Sequence, residues 1–500
     1  MEIQVIKGDI LKQSADLLVM GTYEQENTQN PFMETLNEAL HGKLLKRMKV
    51  GKFEGKVGQQ LLLPAPDMMD VDYVLIVGLG PVKEGAVNAA RQAAGITVQT
   101  AKKLGLSTIA MEFLGEDDDN FDARAVAQGM IEALLLADYD FTLYKEETDE
   151  PMITSVTIVA EDGRDVRKAQ RIMDDTFHIT DGVNVARDLV NTPAGDMTPT
   201  RLAEAAKEIA KTSEHINVKI LDRKACEKLK MGSYLSVSEG SDEPPQFIHL
   251  TYTPTKKAKK KVVLVGKGVT FDSGGLSIKP SNGMMTMKAD MAGSATVLGL
   301  FAALGRLQPN IEVHGIIAAT ENMINGKATR PGDIVRASNG KTIEVLNTDA
   351  EGRLTLADAL HYAAALNPDY TIDLATLTGA CVVALGEEIA ALHGNDEGLN
   401  TKILEAAKQS DEDMWLMPLP SRYNAQIKSD VADLRNIAKT RYGGSLTAAL
   451  FLQNFVAEGM KWAHMDIAGP AFAERPIGSY LKKGGTGYGV RTLARFLKNL

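Results

Sequence analysis

The chain has 500 residues, 44% hydrophobic and 24% charged, with a formal net charge of -10. That length exceeds one ordinary hydrophobic core, so two domains are expected, and the composition is that of a soluble globular protein. The negative balance argues against a general nucleic-acid binder, which carries a basic face, although a local basic patch stays open. Cys226 and Cys381 are the only cysteines; they are too few for a disulfide framework or a cysteine zinc site and fit a reducing compartment. The opening residues Met1-Glu2-Ile3-Gln4-Val5-Ile6-Lys7 lack the basic-then-apolar layout of a secretion signal. No run of about 18 apolar residues is present, so no membrane span is expected. The chain reads as cytoplasmic.

Up to about residue 160 strands and helices alternate. The apolar run Tyr73-Val74-Leu75-Ile76-Val77-Gly78 predicts a buried strand, followed by an alanine-rich helix over residues 84–104. A strand from Ser107 to Met111, a helix near 122–137 and a strand near 154–160 complete a first α/β domain over 1–160. Residues 165–190 predict a long charged helix that stops at Asn191-Thr192-Pro193, because proline disfavours helical geometry in the residue before it. This helix, within 161–192, is taken as the connector to a second domain over 193–500. Thr198-Pro199 opens the next helix in a cap-then-proline arrangement.

The lysine run at 256–261 reads as a solvated turn before the strand Val262-Val263-Leu264-Val265, in preference to a nucleic-acid patch. A helix at 293–306 and a strand at 311–319 come next. A hairpin then pairs Asp333-Ile334-Val335-Arg336 with Thr342-Ile343-Glu344-Val345 across Asn339-Gly340. A further strand covers Tyr370 to Ala375. The fold class is therefore α/β: two domains, each a mainly parallel or mixed sheet flanked by helices, joined by a long helix. Ligands of such sheets lie outside the carboxyl ends of the strands.

Two charge clusters fall at such ends. One comprises Val265-Gly266-Lys267-Gly268-Val269-Thr270-Phe271-Asp272-Ser273-Gly274-Gly275, then Lys279, then Lys288-Ala289-Asp290-Met291; the other is Asn347-Thr348-Asp349-Ala350-Glu351-Gly352-Arg353-Leu354. Singly, each acid has the ordinary reading of a surface or capping group. Together, Asp272, Asp290, Asp349 and Glu351 carry enough negative charge to balance two divalent cations, and their small neighbours permit close backbone approach. Lys267 is either a neutral amine ligand beside a dication or a salt-bridge partner of Asp272. Lys279 and Arg353 read as permanent cations facing a developing oxyanion, with a pairing of Arg353 to Glu351 or a neighbouring acid as the alternative.

Other patterns fail. Asn339-Gly340-Lys341-Thr342 has Val335 where a phosphate loop needs its first glycine. Gly78-Leu79-Gly80 lacks the third glycine of a dinucleotide fingerprint, and Ser273 lacks the preceding glycine of a nucleophile elbow. No histidine pair forms a His-Glu-x-x-His helix, and His464, between Trp462 and Asp466, reads as a packed or hydrogen-bonded structural residue.

The octapeptide at 347–354 resembles the signature of the leucyl aminopeptidases, two-metal exopeptidases. The likeness extends through Val265 to Gly275, Lys288 to Gly293, Arg330-Pro331-Gly332-Asp333, Ala375-Thr376-Leu377-Thr378-Gly379-Ala380, Gly443-Gly444-Ser445 and the stretch from Trp462 to Gly469. Arg187 to Pro193 resembles the family's entry into its catalytic domain.

The resemblance implies that Lys267, Asp272, Asp290 and Glu351 hold one metal, and that Asp272, Asp349 and Glu351 hold the other. The ions would be manganese, zinc, magnesium or cobalt. Lys279 would stabilise the tetrahedral intermediate, and Arg353 would hold a bicarbonate. Met287, Thr376, Gly379 and Ala468 would line the pocket for the first side chain, favouring leucine and other apolar residues. Substrates would be peptides with a free N-terminus, and the assembly a homohexamer. Ser294, where alanine is common, and Ala471-Phe472 depart from the family pattern and bear on substrate preference. Two rivals share these residues: the same fold with an added DNA-binding regulatory role, and a two-metal phosphatase or nuclease.

Overall fold

The apolar runs of the sequence become the inner strands of two sheets. The computed structural model describes residues 1–24, 31–81, 86–114, 122–146 and 152–500. The described chain divides into a first unit, Met1–Thr180 with Arg475–Lys482, and a second, Asp181–Glu474 with Lys483–Leu500.

In the first unit the strands are β1 (Glu2–Lys7), β2 (Ala15–Tyr23), β3 (Gln60–Pro64), β4 (Val71–Gly80), β5 (Thr108–Glu112) and β6 (Ser155–Ala160). They lie in the order β1-β6-β5-β2-β4-β3, all parallel except the edge strand β3. Leu17 to Met20 on β2 and Val74 to Val77 on β4 are buried without alternation, as strands covered on both faces require. The predicted helix at 84–104 is Ala86–Leu104, with residues 84 and 85 outside the described residues. The helix Ala123–Asp138 starts at Asp122, whose carboxylate accepts from the Arg124 and Ala125 amides.

A return segment, Arg475–Lys482, also belongs to this unit. Ser479 Oγ donates to Gln92 O at 2.7 Å, and Gln99 Nε2 donates to Ser479 O at 2.7 Å. A Cβ on Gly95 would fall 2.4 Å from Ser479 Oγ, so only glycine lets the segment lie there. The helix predicted at 165–190 is one continuous element, Gly163–Asn191.

The second unit contributes β7 (Ile216–Leu221), β8 (Gln246–Tyr252), β9 (Lys261–Asp272), β10 (Glu312–Asn322), β11 (Ile334–Arg336), β12 (Thr342–Glu344), β13 (Tyr370–Ala375), β14 (Ala390–Gly394), β15 (Met414–Leu416), β16 (Leu434–Arg435) and β17 (Trp462–Asp466). Its eight-stranded sheet runs β15-β14-β17-β13-β9-β10-β8-β7. The centre, β17-β13-β9-β10, is parallel; on one side β8 is antiparallel to β10 and β7 antiparallel to β8, and on the other β14 is antiparallel to β17. The helix Ala292–Leu307 lies against this centre at a distance that a side chain would forbid. A Cβ on Gly293 would sit 2.1 Å from Leu374 O.

The predicted hairpin forms, with β11 antiparallel to β12, inside a separate three-stranded sheet completed by β16. Its loop is longer than the Asn339-Gly340 dipeptide alone. Arg336 pairs with Thr342, Gly340 N donates to Ala337 O at 2.9 Å, and Gly340 takes φ +90°. The lysines at the end of the 256–261 run are held by local partners: Lys260 pairs with Asp369 and Lys261 with Glu312.

Candidate metal centre

Parallel strands β9, β10 and β13 end at one edge of the second sheet, and the charged residues gather there. β9 carries Lys267 within its buried interior and ends on Asp272. The chain then reverses through Gly274 and Gly275, both at positive φ (+85° and +60°), a conformation that glycine adopts freely. Asp290 sits in the short 3-10 turn Met287–Met291 that feeds the helix Ala292–Leu307. Glu351 is the N-cap of the helix Gly352–Ala364. The next residue, Gly352, lies so close to Lys267 that a Cβ would meet its Cε at 2.5 Å.

Asp272, Asp290 and Glu351 are all buried, and each offers an oxygen within 4.8 Å of the others. Lys267 Nζ reaches Asp290 Oδ1 at 2.7 Å and Glu351 Oε1 at 2.9 Å. Lys279 Nζ bridges Asp272 Oδ2 at 2.8 Å and Asp349 Oδ1 at 2.6 Å. Asp349 thus joins the buried trio through Lys279, and its side chain is the most exposed of the four acids at 34%.

The electrostatics are unbalanced. Four carboxylates against two ammonium groups leave a formal charge of about -2 in a low-dielectric pocket. Burial, reinforced by the charge of Asp272, raises the Glu351 carboxyl above its ordinary range, and burial raises Asp290 likewise. Burial pulls the Lys267 ammonium down, but the carboxylates of Asp290, Glu351 and Asp272 outweigh it, and its pKa is raised. Lys279 follows the same pattern. Asp290 Oδ2 and Glu351 Oε2 are buried without a hydrogen-bond partner. Buried carboxylate oxygens in excess of their cations fit a divalent metal: an oxygen-rich set with one nitrogen suits manganese, magnesium or zinc.

The structure corrects two sequence alternatives. A Lys267–Asp272 salt bridge does not form, because the β9 backbone aims Lys267 at Asp290 and Glu351, while Asp272 takes Lys279. Arg353 does not pair with Glu351. Its buried guanidinium donates from Nη1 to the Asn436 carbonyl at 2.8 Å, and desolvation lowers its pKa to about 10. His464 is fully buried with Nδ1 2.6 Å from Asp373 Oδ1, a structural residue as expected.

Of the four pocket candidates, Thr376 touches the acidic cluster directly, its hydroxyl donating to Asp290 Oδ1 at 2.8 Å. Met287 begins the turn that carries Asp290. Gly379 opens the helix Gly379–Leu385, with open space where a side chain would stand. Ala468 follows β17, and its amide donates to Asp466 Oδ1 at 3.3 Å. The same carboxylate accepts from the Leu377 amide and the Thr378 hydroxyl, so Asp466 ties the 376–379 loop to the 466–468 segment. Ser294 donates its hydroxyl to Met291 O, at the end of the preceding 3-10 turn.

Three further residues also shape the centre. Asn436 accepts from Arg353 and clamps the 346–350 segment, with Oδ1 accepting from Leu346 N and Nδ2 donating to Asn347 O at 2.6 Å. Asp466 and Asn322 do equivalent work elsewhere. Asp466 falls in the Trp462–Gly469 stretch without a role assigned by sequence; for Asn322 and Asn436 a single sequence holds no signal.

Residues 184–494 match the model of the cytosol aminopeptidase family catalytic domain, and residues 19–148 match that of the family's N-terminal domain. The chain is 42% identical to a probable cytosol aminopeptidase of Persephonella marina and 44% identical to one of Thermosynechococcus vestitus, each over all of both chains. Among solved structures it resembles a mutant of tomato leucine aminopeptidase (TM-score 0.90, 39% identity, 100% of this chain and 97% of the other). It also resembles the bottromycin maturation enzyme BotP in complex with Mn (TM-score 0.85, 34% identity, 97% and 99%).

Proposed function

The chain belongs to the cytosol aminopeptidase family, and we propose that it is a metal-dependent leucyl aminopeptidase with two divalent ions per chain. Membership makes it a hydrolase that removes N-terminal residues from peptides; the metals, the preference and the residue roles are the proposal. The observation that carries it is the excess of carboxylate over ammonium among Asp272, Asp290, Asp349, Glu351, Lys267 and Lys279, three of the four acids being buried.

The four acids and Lys267 would hold the ions, with manganese or zinc the first candidates and magnesium or cobalt the others. Lys267 would ligate only as a neutral amine, so its proton must leave when a dication arrives. Bound there, such ions lower the pKa of a water and polarise a carbonyl. The chain's own groups supply the rest. The free amine of the peptide N-terminus would be received at one of the ions these residues hold, which would restrict cleavage to the terminal bond. Lys279, whose pKa is raised, stays cationic and faces charge that develops on the substrate carbonyl oxygen. Arg353 adds a second, buried cation able to hold a small anion such as bicarbonate.

Met287, Thr376, Gly379 and Ala468 would wall the pocket for the first side chain. Discrimination between neighbouring apolar residues there is worth only about 1–3 kcal/mol, so a graded preference around leucine is expected. A homohexamer in the cytoplasm belongs to the same reading; among the described residues no helix is long and apolar enough to cross a membrane.

The test is hydrolysis of leucine p-nitroanilide by metal-stripped protein before and after addition of manganese or zinc, with nitrophenyl phosphate as control substrate. Activity on the anilide alone, lost on stripping and regained on addition, is expected. Hydrolysis of the phosphate instead would favour the phosphatase reading, and full activity without metal would refute the proposal.

A further inference from the structure

Asn322 closes β10, immediately after an irregularity that breaks its register with β9 between Thr320 and Asn322. The break sets the Asn322 side chain, 5% exposed, between the two halves of the acidic centre. Its amide nitrogen spends both hydrogens there. Nδ2 donates to Asp272 Oδ1 at 2.7 Å and to the Thr348 carbonyl at 3.0 Å. Its own carbonyl accepts from the Ser273 amide at 3.0 Å and the Ser273 hydroxyl at 2.8 Å. One residue therefore binds the end of β9 to the loop that presents Asp349 and Glu351.

The consequence falls on Asp272. Its Oδ1 takes two neutral donors, Asn322 Nδ2 and the Gly274 amide at 2.8 Å, while Oδ2 faces the ionic side at Lys279. Two fixed donors on one oxygen set the rotation of the carboxylate and leave the other oxygen aimed into the cluster. Because the donor is an uncharged amide, it orients the acid without cancelling charge. An aspartate at 322 would lose both donors and set a third carboxylate against Asp272. Space is restricted as well: a Cβ on Gly275 would lie 2.9 Å from Asn322 Oδ1 and 2.9 Å from Thr348 Oγ1.

We propose that Asn322 is a positioning residue for the metal centre, holding Asp272 in its ligating rotamer and locking the Asp349–Glu351 loop at ligating distance from it. This rests on the reading of the cluster as a metal site. Partners of this kind, hydrogen-bonded to ligating carboxylates, change metal affinity by about 10–100-fold when removed.

The test measures Mn2+ binding directly, by the electron paramagnetic resonance signal of free Mn2+ titrated with metal-stripped full-length protein. Wild type is compared with Asn322→Ala and with Asn322→Ser, which keeps a small polar group. Circular dichroism and melting are recorded first. Mn2+ affinity about 10–100-fold weaker in Asn322→Ala is expected, with kcat on leucine p-nitroanilide recovering to within a few-fold at saturating Mn2+. Wild-type affinity in a folded Asn322→Ala protein would overturn the inference. So would loss of the fold in both variants, since the role would then be architectural. A wild-type chain that binds no Mn2+ would instead defeat the metal-site reading itself.

Discussion

Each unit of this protein buries charge, and the two do it differently. In the first, Arg91 and Glu132 lie 3% and 1% exposed with Nη2 3.1 Å from Oε2, and Gln128 Nε2 donates to the other glutamate oxygen at 2.7 Å. Cation and anion are paired, and a neutral amide joins them. In the second, Asp272, Asp290, Asp349 and Glu351 share Lys267 and Lys279, and two of the acids keep oxygens without a partner. A charge met by an opposite charge holds a scaffold together; a surplus of one sign, gathered at the end of a parallel sheet, marks a place for something of the opposite sign. The second unit contains matched buried acids too. Glu412 accepts from the amides of Gly489 and Thr492 and the Thr492 hydroxyl, and Arg491 lies 3.4 Å away.

The largest effect that would break this contrast comes from Glu351→Gln. With several kcal/mol of charge stabilisation gone, turnover of leucine p-nitroanilide should fall by about 10³-fold. In the metal-stripped protein the same change should leave the melting temperature equal or higher, because it removes surplus negative charge. A calorimetric drop of several degrees would show that Glu351 is a matched structural acid.

Next in size, Glu132→Ala removes a buried carboxylate partner of Arg91 in the first unit. It should cost about 3–5 kcal/mol in urea unfolding, while the turnover of the protein that remains folded is unchanged. Stability equal to wild type would show the pair to be ornamental.

Asp358 sharpens the comparison at smaller scale. Its two oxygens accept from the amides of Tyr234 and Ser338. Asp358→Asn must turn an NH2 toward one of those donors and should cost about 1–3 kcal/mol with no loss of turnover.

The smallest effect is a pH slope. His249 Nε2 and His314 Nδ1 stand 2.9 Å apart, so one must donate and the other accept, and a second proton would break the contact. Burial, with the charges of His314 and Lys219, lowers the His249 pKa to about 4. A depressed folded pKa means that the neutral histidine's contribution is complete above the unfolded value of 6.5 and is lost as pH falls toward about 4. Urea midpoints of wild type should therefore decline relative to His249→Gln across that window. Parallel curves would contradict the assignment.

Much of this was legible from residue order. The uninterrupted apolar runs of β4 and β9, the proline after Thr192 and the glycine-flanked acids at 272 and 349–351 announce strands, a helix stop and a charged centre, because each depends on local chemistry. What was hidden depends on partners far along the chain. The docking of Arg475–Lys482 beside Gly95 is one case. The choice of Asp290 and Glu351 as partners of Lys267 is another, as is the work of Asn322, Asn436 and Asp466. An asparagine that fixes a carboxylate has the same composition signature as one that caps a turn.

The central claim is that the surplus of buried carboxylate is balanced by bound dications. Its most direct test is titration of metal-stripped protein with Mn2+ while proton release and leucine p-nitroanilide hydrolysis are followed together. The account predicts saturation near two ions per chain, protons released as Lys267 and the raised carboxyls give theirs up, and activity rising in step. Full hydrolysis before any ion binds, or saturation with no change in activity, would contradict it.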